Sequence, residues 1–334
     1  MTEDNGIETI LVEIPSYKDK DILKTLESAR VQAEYPERIY FAICLQDDDT
    51  ELAARLAAMA GVRLVWLKTR YARGACLARY LCQSLRYDED FVLRTDAHMR
   101  FVKHWDSGLI SQWRRIGDPK GCITCYLDDL TPEQMDLPVD DGLFDSPRMG
   151  GIIRAGWLWS NDSDWPIMTL RKYKNDVDSF RYDRSASISG HYLFMPGSAD
   201  TEVLIDPHMH HWGDELPYAI RLYTYGYNIY GVGRTYALHR WERKEIPEGA
   251  GIPDYEAELF RKVLDGYGAG SARSVDDYMR DHDMDLKRRY IGRRAQEGRY
   301  DGRFREYMME KDAKPEKKTR YDMLKARRHS ARRK

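Results

Sequence analysis

The first 130 residues alternate between two hydrophobic patterns, and this alternation constrains the fold more than any other feature of the chain. Segment 7–14, IETILVEI, is apolar and β-branched, as is typical of a buried strand, whereas segment 19–31 places Ile22, Leu26 and Ala29 at helical spacing. Repeated strand–helix alternation predicts a mostly parallel α/β sheet with helices on both faces. The predicted strands are 7–14, 38–45, 62–67, 91–94 and 122–127, and the predicted helices are 19–31, 50–59, 73–85 and 105–116.

The pattern changes after residue 127. Residues 128–186 are irregular and rich in Asp, Pro and Trp, and we expect loops with one strand at 152–159. A strand at 187–195 and a helix at 215–225 follow, and the chain is charged and helical from residue 254 onward. We therefore predict an α/β domain over 1–250 and a charged helical region with a basic tail over 251–334.

The charge of the chain is divided unevenly. The net charge is −2, yet residues 287–334 alone carry a net charge of +12. Such a basic segment indicates an arm for an anionic partner, and a solvated helical face is the alternative interpretation. The apolar share of 42% supports a buried core.

From this sequence we expect neither a membrane span nor a signal peptide. It has no apolar run near the ~20 residues of a membrane span, and its acidic beginning is unlike a signal peptide. Five cysteines, an odd and low number, favour a reducing compartment, so we expect a cytoplasmic location.

Polar segments follow the predicted strands, at 15–18, 46–49, 68–79 and 95–100. Ligands of open α/β sheets bind beyond the carboxyl ends of the strands, so these segments are the expected site. Asp96 and His98 follow the strand 91–94, and residues i and i+2 of an extended segment point the same way. The pair therefore predicts a divalent metal site, with the mixed oxygen and nitrogen ligands favouring Mn²⁺ over Mg²⁺. The ion would neutralise charge on the diphosphate of a nucleotide-sugar.

Other segments complete this hypothesis. Pro15, Ser16 and Tyr17 offer backbone groups and a ring to a base or ribose, and Arg73 and Arg79, with Lys68, offer positive charge to a diphosphate.

Acidic residues and histidines occur again later in the chain. Asp214 and Glu215 open a predicted helix, where they either stabilise the helix dipole or bind acceptor or donor hydroxyls. His239 follows another strand-like run and is a candidate third metal ligand. His208, His210 and His211 suggest a second metal site, although adjacent histidines on a strand face opposite ways.

Taken in order, these segments resemble the cytoplasmic hydroxyproline polypeptide N-acetylglucosaminyltransferases over about residues 7–243. The family's I-P-S-Y-R-D looks like residues 14–19, its D-S-H-x-R-F like residues 96–101, its G-E-E like residues 213–215, and its closing H-x-x-R like residues 239–243. Asp-x-His, W-G-x-E and the later His are also similar to the polypeptide GalNAc-transferases. The chain departs from the family at Gly74-Ala75, where the family has G-P, and at Asp214, where it has Glu.

The resemblance implies a GT-A fold, a UDP-sugar donor carrying GlcNAc or a hexose, and a retaining transfer. It implies that Asp96, His98 and His239 hold Mn²⁺ or Mg²⁺, and that the acceptor is a protein hydroxyl. Hydroxymethylated DNA bases are the alternative acceptor, because the basic tail 287–334 suits a polyanion. A non-catalytic nucleotide-sugar-binding protein is a third hypothesis.

Overall fold

The computed structural model describes residues 8–157, 166–172, 181–241 and 254–300. Local signals explain several helix ends: the Asp49 side chain accepts hydrogen bonds from the Glu51 and Leu52 N–H groups at the start of the second helix, and Gly117 ends the fourth in the left-handed region, with φ of 70°. The helices are α1 (Ile22–Val31), α2 (Thr50–Ala57), α3 (Gly74–Gln83), α4 (Trp105–Ile116), α5 (Pro132–Met135), α6 (Gly197–Glu202), α7 (Leu216–Thr224), α8 (Asp254–Leu264), α9 (Val275–Asp281) and α10 (Arg293–Glu297).

The strands form one large sheet and several small ones. They are β1 (Ile10–Tyr17), β2 (Ile39–Gln46), β3 (Val62–Leu67), β4 (Phe91–Thr95), β5 (Met99–Phe101), β6 (Gly121–Thr124), β7 (Asp128–Asp129), β8 (Arg148–Met149), β9 (Gly151–Trp157), β10 (Pro166–Lys172), β11 (Tyr182–Arg184), β12 (Tyr192–Pro196), β13 (Asn228–Val232), β14 (Arg234–Thr235), β15 (Ala237–His239), β16 (Met284–Asp285) and β17 (Tyr290–Ile291).

The large sheet has eight strands in the order β11-β13-β6-β12-β4-β1-β2-β3. Strands β1, β2, β3 and β4 run parallel to one another, β13 runs parallel to β6, and β12 and β11 are antiparallel to their neighbours. This mostly parallel arrangement confirms the predicted α/β fold. The carboxyl ends of β1, β2, β3 and β4 therefore meet at one edge of the sheet.

The first strand ends three residues later than predicted. The sequence indicated an end at Ile14, but β1 continues through Pro15 to Tyr17, paired with β2 throughout. Pairing with β4 stops at Glu13, and the Lys18 N–H donates to Gln46 O of β2. Successive backbone N–H groups of a strand point to opposite sides, and the Lys18 N–H points toward β2. The nitrogen of Pro15 therefore points toward the β4 side, where pairing has already stopped, so its missing N–H removes no hydrogen bond of the sheet.

Two other predicted strands are shorter. The strand predicted at 187–195 begins only at Tyr192, because the preceding serines bond outside the sheet ladder, as when Ser189 N–H donates to Thr124 Oγ1. The strand predicted at 122–127 ends at Thr124. Residues 125–127 leave the sheet, and the Leu127 N–H donates to His191 Nε2.

Two buried clusters lie on opposite faces of the sheet. One contains Ile10 and Val12 with α1 and α4, and the other contains Leu11 with α3 and α7, so successive strand residues face opposite clusters. Phe260 of α8 and Tyr278 of α9 belong to the second cluster. Hydrophobic burial thus holds α8 and α9 against α7. The predicted domain boundary at residue 250 stays a prediction.

No helix in the described ranges is both long enough and apolar enough to cross a membrane. Residues 301–334 lie outside the described ranges. They make up most of the basic segment 287–334, from which we predicted an anionic partner.

Candidate active site

Three side chains converge beside the carboxyl end of β4. Asp96 follows β4, His98 precedes β5, and His239 ends β15, which pairs antiparallel with β5 so that His239 lies opposite Met99. His239 Nε2 is 3.0 Å from His98 Nε2 and 3.1 Å from Asp96 Oδ2, and His98 Nε2 is 3.6 Å from Asp96 Oδ2. The predicted triad is therefore assembled by the fold.

This donor set fits a divalent cation. Oxygen and nitrogen ligands about 2.1 Å from one ion in near-octahedral geometry lie about 3 Å from each other. The observed separations of the three atoms are of this size, and all three lie within 4.8 Å of one another. In the part of the chain that the structure describes, no other group of three such side chains comes together in this way.

Arg79 of α3 joins the triad to Asp214, which lies just before α7. Its Nη2 lies 2.9 Å from Asp96 Oδ1 and its Nε lies 2.6 Å from Asp214 Oδ2, while Nη1 donates to Thr95 O at 3.3 Å. The arginine side chain is only 3% exposed. Burial by itself raises the pKa of Asp96, but the hydrogen bond with His239 and the charge of Arg79 outweigh it and hold this pKa well below its usual value.

The predicted nucleotide-binding residues lie on the same sheet edge. Ser16 is buried, Pro15 and Tyr17 are half-buried, and Tyr17 pairs with Gln46 at the end of β2. Arg73 is exposed immediately before α3. The fold thus leaves Arg73 accessible to an anion from solvent, whereas the Arg79 guanidinium is committed to Asp96 and Asp214.

Asp214 and Glu215 lie just before α7. Asp214 is 5% exposed, and a Cβ on Gly190 would lie 2.8 Å from its Oδ2, so this close approach requires glycine. The Gly190 N–H donates to Glu215 Oε1 at 3.2 Å. Burial, followed by the charge of Asp214, raises the pKa of Glu215 to about 8.

The loop before Asp214 is fixed from two sides. Glu256 of α8 is fully buried, and its Oε1 accepts the backbone N–H groups of His210 and His211, both at 3.0 Å. The Cys76 N–H of α3 donates to His210 O, and a Cβ on Gly74 would lie 2.1 Å from that oxygen. The histidines of this loop, which suggested a second metal site, are not among the residues of the Asp96 triad.

Sequence reasoning missed an aromatic group beside His239. The ring centroids of His191 and Trp241 lie 4.4 Å from that of His239, and Tyr126 stacks on His191 at 5.6 Å. Trp241 is 46% exposed. Burial, followed by the neighbouring His239, holds the pKa of His191 well below its usual value. Trp241 was recognisable in principle, because it stands two residues after His239.

Comparisons with known proteins agree with this geometry. The family model described as Glycosyltransferase (GlcNAc) matches residues 51–249, which is more than half of the chain. No curated protein matches the chain in a sequence search.

Solved structures match the fold at low sequence identity. The crystal structure of GalNAc-T7 with UDP, GalNAc and Mn²⁺ has a TM-score of 0.53 and 16% identity, with 84% of this chain and 51% of GalNAc-T7 covered. The structure of residues 1–349 of TarS from S. aureus in complex with UDP-GlcNAc has a TM-score of 0.50 and 12% identity, with 77% of this chain and 66% of that 1–349 chain covered. The chain thus spans between half and two thirds of these structures. By its family match and its fold, the chain belongs to the Glycosyltransferase (GlcNAc) family and has a GT-A fold.

Proposed function

We propose that this chain is a metal-dependent, retaining glycosyltransferase that moves N-acetylglucosamine from UDP-GlcNAc to a hydroxyl group of a protein. The convergence of Asp96, His98 and His239 at the carboxyl edge of the sheet, beside Pro15, Ser16 and Tyr17, carries the proposal. The family description favours GlcNAc over a hexose. The two structural neighbours carry UDP or UDP-GlcNAc, which supports a uridine donor.

Each residue has a proposed part in the reaction. Asp96, His98 and His239 would hold the cation, for which two imidazoles favour Mn²⁺ over Mg²⁺. When bound, a divalent cation neutralises charge that develops on the departing diphosphate. Arg73 is an accessible cation for the same phosphates, as is Lys68. Arg79 keeps Asp96 and Asp214 in place.

The donor and the acceptor bind on either side of these groups. Pro15, Ser16 and Tyr17 would contact the base and ribose, since they end the strand next to β4. Asp214 and Glu215 would orient the reacting hydroxyl or the transferred sugar. The exposed part of Trp241 gives an acceptor an apolar surface next to His239.

A protein acceptor, with hydroxyproline as the side chain that the sequence resemblance names, is preferred to DNA. The described residues add no support for DNA, because the basic tail lies largely outside them. Transfer of labelled sugar to a hydroxyproline peptide, and none to hydroxymethylated duplex DNA at low salt, is the expected result. Transfer to the DNA and none to the peptide would show that the acceptor is DNA, and the proposed donor site would still stand.

Release of UDP from a panel of UDP-sugars, with Mn²⁺, with Mg²⁺ and with EDTA, tests the donor and the metal without an acceptor. We expect slow hydrolysis of UDP-GlcNAc that is fastest with Mn²⁺ and absent with EDTA. Binding of UDP-GlcNAc without any hydrolysis or transfer would favour the non-catalytic alternative. If no UDP-sugar binds at all, the proposed donor class is wrong.

The pH dependence of transfer tests Glu215. With its pKa raised to about 8, the Glu215 carboxyl is protonated near neutral pH and donates a hydrogen bond to a substrate oxygen. We predict that kcat/KM falls about tenfold per pH unit above this pKa, because ionisation removes the donor. Glu215→Gln keeps an N–H donor at every pH, so this decline should disappear from its profile. A wild-type rate that increases as the pH passes 8 would instead make the ionised carboxylate the active form.

A further inference from the structure

Asp19 lies behind His98, outside the three residues of the metal triad. It occupies the loop between β1 and α1, and its side chain is only 4% exposed. One carboxylate oxygen, Oδ2, is 2.8 Å from His98 Nδ1. The other, Oδ1, accepts the Asp21 N–H at 2.9 Å. Both oxygens are therefore engaged, and the carboxylate has a fixed orientation toward the imidazole.

The backbone that carries Asp19 is strained. Lys18, immediately before it, has φ of 46°, in the left-handed region that residues other than glycine rarely adopt. The Lys18 N–H nevertheless keeps the last bond to β2, through Gln46 O. The chain thus turns sharply at the residue after β1 and directs Asp19 toward His98.

The contact determines which imidazole nitrogen carries the proton. An ionised carboxylate can only accept, so His98 Nδ1 must carry the hydrogen in this contact. In a neutral imidazole the other nitrogen, Nε2, then has a free lone pair. His98 Nε2 is the atom that lies 3.0 Å from His239 Nε2 and 3.6 Å from Asp96 Oδ2.

Helix α1 fixes the backbone on both sides of the same histidine. The buried Thr25 hydroxyl accepts the Met99 N–H at 2.9 Å and donates to Ala97 O at 2.8 Å. Asp19 therefore sets the rotation and tautomer of the His98 ring, while Thr25 sets the position of its backbone. Both residues come from one continuous segment, the loop after β1 and the first turn of α1.

We infer that Asp19 is a positioning residue of the metal site, holding His98 with Nε2 as the ligand atom. This inference rests on the proposed function, since it concerns the metal that Asp96, His98 and His239 would bind. A carboxylate behind a ligand histidine raises the basicity of the ring and fixes its orientation. Asp19 acts through His98, which its Oδ2 contacts at 2.8 Å.

Titration of the full chain with Mn²⁺, followed by electron paramagnetic resonance and calorimetry, measures this role without an activity assay. Asp19→Asn has one acceptor oxygen where the wild type has two, so it cannot accept from both Asp21 N–H and His98 Nδ1–H. We expect the variant to bind Mn²⁺ about 10- to 100-fold more weakly than the wild type.

Asp106→Asn is the matched control. Asp106 is equally buried and accepts the Glu34 and Tyr35 N–H groups, away from the triad. The Asp106→Asn variant should have a lower midpoint of thermal unfolding than the wild type and an unchanged affinity for Mn²⁺. Wild-type affinity in a folded Asp19→Asn variant would overturn the inference and leave the metal centre standing. A wild type that binds no Mn²⁺ would overturn the metal centre and the inference together.

A second measurement does not depend on Asp19→Asn, because it reads the His98 tautomer in the wild-type protein. Proton–nitrogen correlation spectra of histidine-labelled wild-type protein without metal report the tautomer of each ring. We expect His98, assigned with His98→Gln, to carry its proton on Nδ1. A proton on Nε2 alone would overturn the inference, even if the Asp19 variants failed to fold.

Discussion

Asp96→Asn is expected to lower metal-dependent UDP release and transfer by about 1,000-fold, while the protein still folds. Two contacts are lost: the charged ligand oxygen 3.1 Å from His239 Nε2 and the anionic partner of Arg79 Nη2, 2.9 Å away. A metal that stabilises a departing anion contributes several kcal/mol. Since about 1.4 kcal/mol corresponds to tenfold in rate, a loss of this size is the expected consequence.

The measurement is kcat at saturating UDP-GlcNAc and Mn²⁺, together with Mn²⁺ affinity. Asp90→Asn is the control, because Asp90 stands at the opposite end of the same strand, where it accepts hydrogen bonds from Thr9. It should retain wild-type kcat and Mn²⁺ affinity. Should Asp96→Asn keep its metal affinity and lose less than tenfold in kcat, Asp96 is not a metal ligand and the triad needs another role.

The parts of the fold that depend on local pattern were predictable. Apolar, β-branched runs indicated the strands of the parallel half of the sheet, and helical spacing in segments such as 19–31 indicated the helices between them. Strand ends were less predictable. Pro15 does not end β1, because β4 no longer pairs with β1 at that residue. The sequence near Pro15 does not show this, because β4 begins only at residue 91.

The metal site was predictable in part for the same reason. Asp96 and His98 are two residues apart, so a local rule brings them together. His239 was a candidate because it follows a strand-like run, but only the resemblance to a family joined it to Asp96 and His98 in one ligand set. The contacts of Asp19 with His98 and of Arg79 with Asp214 join residues 79 and 135 positions apart. No periodicity records such contacts, because they arise only when several elements pack.

Removing Arg79 is the second change with a large expected effect. Arg79→Met leaves Asp96 and Asp214 without their shared cation, and their side chains are only 25% and 6% exposed. Breaking a buried ion pair by removing one partner costs about 3–5 kcal/mol, because the remaining charge is uncompensated. We expect the free energy of unfolding to fall by about this amount.

Mn²⁺ affinity and UDP release should also fall in Arg79→Met, since Arg79 holds one oxygen of Asp96 and one of Asp214. Arg79→Lys keeps the charge but cannot reach both carboxylates with one planar fork, so we expect an intermediate loss. Urea denaturation at neutral pH measures stability, and Mn²⁺ titration with UDP release measures the site.

Arg38→Met separates the loss of stability from the loss of Mn²⁺ affinity. Arg38 forms a buried pair with Asp106 at 3.3 Å, with side chains 8% and 0% exposed, and it contacts none of the triad residues. Its loss should reduce stability and leave Mn²⁺ affinity intact, whereas Arg79→Met should reduce both. Equal Mn²⁺ affinity in the two variants would show that Arg79 only stabilises the fold. Unchanged stability in Arg79→Met would mean that Asp96 and Asp214 do not depend on it, and the link between the triad and α7 would have to be sought elsewhere.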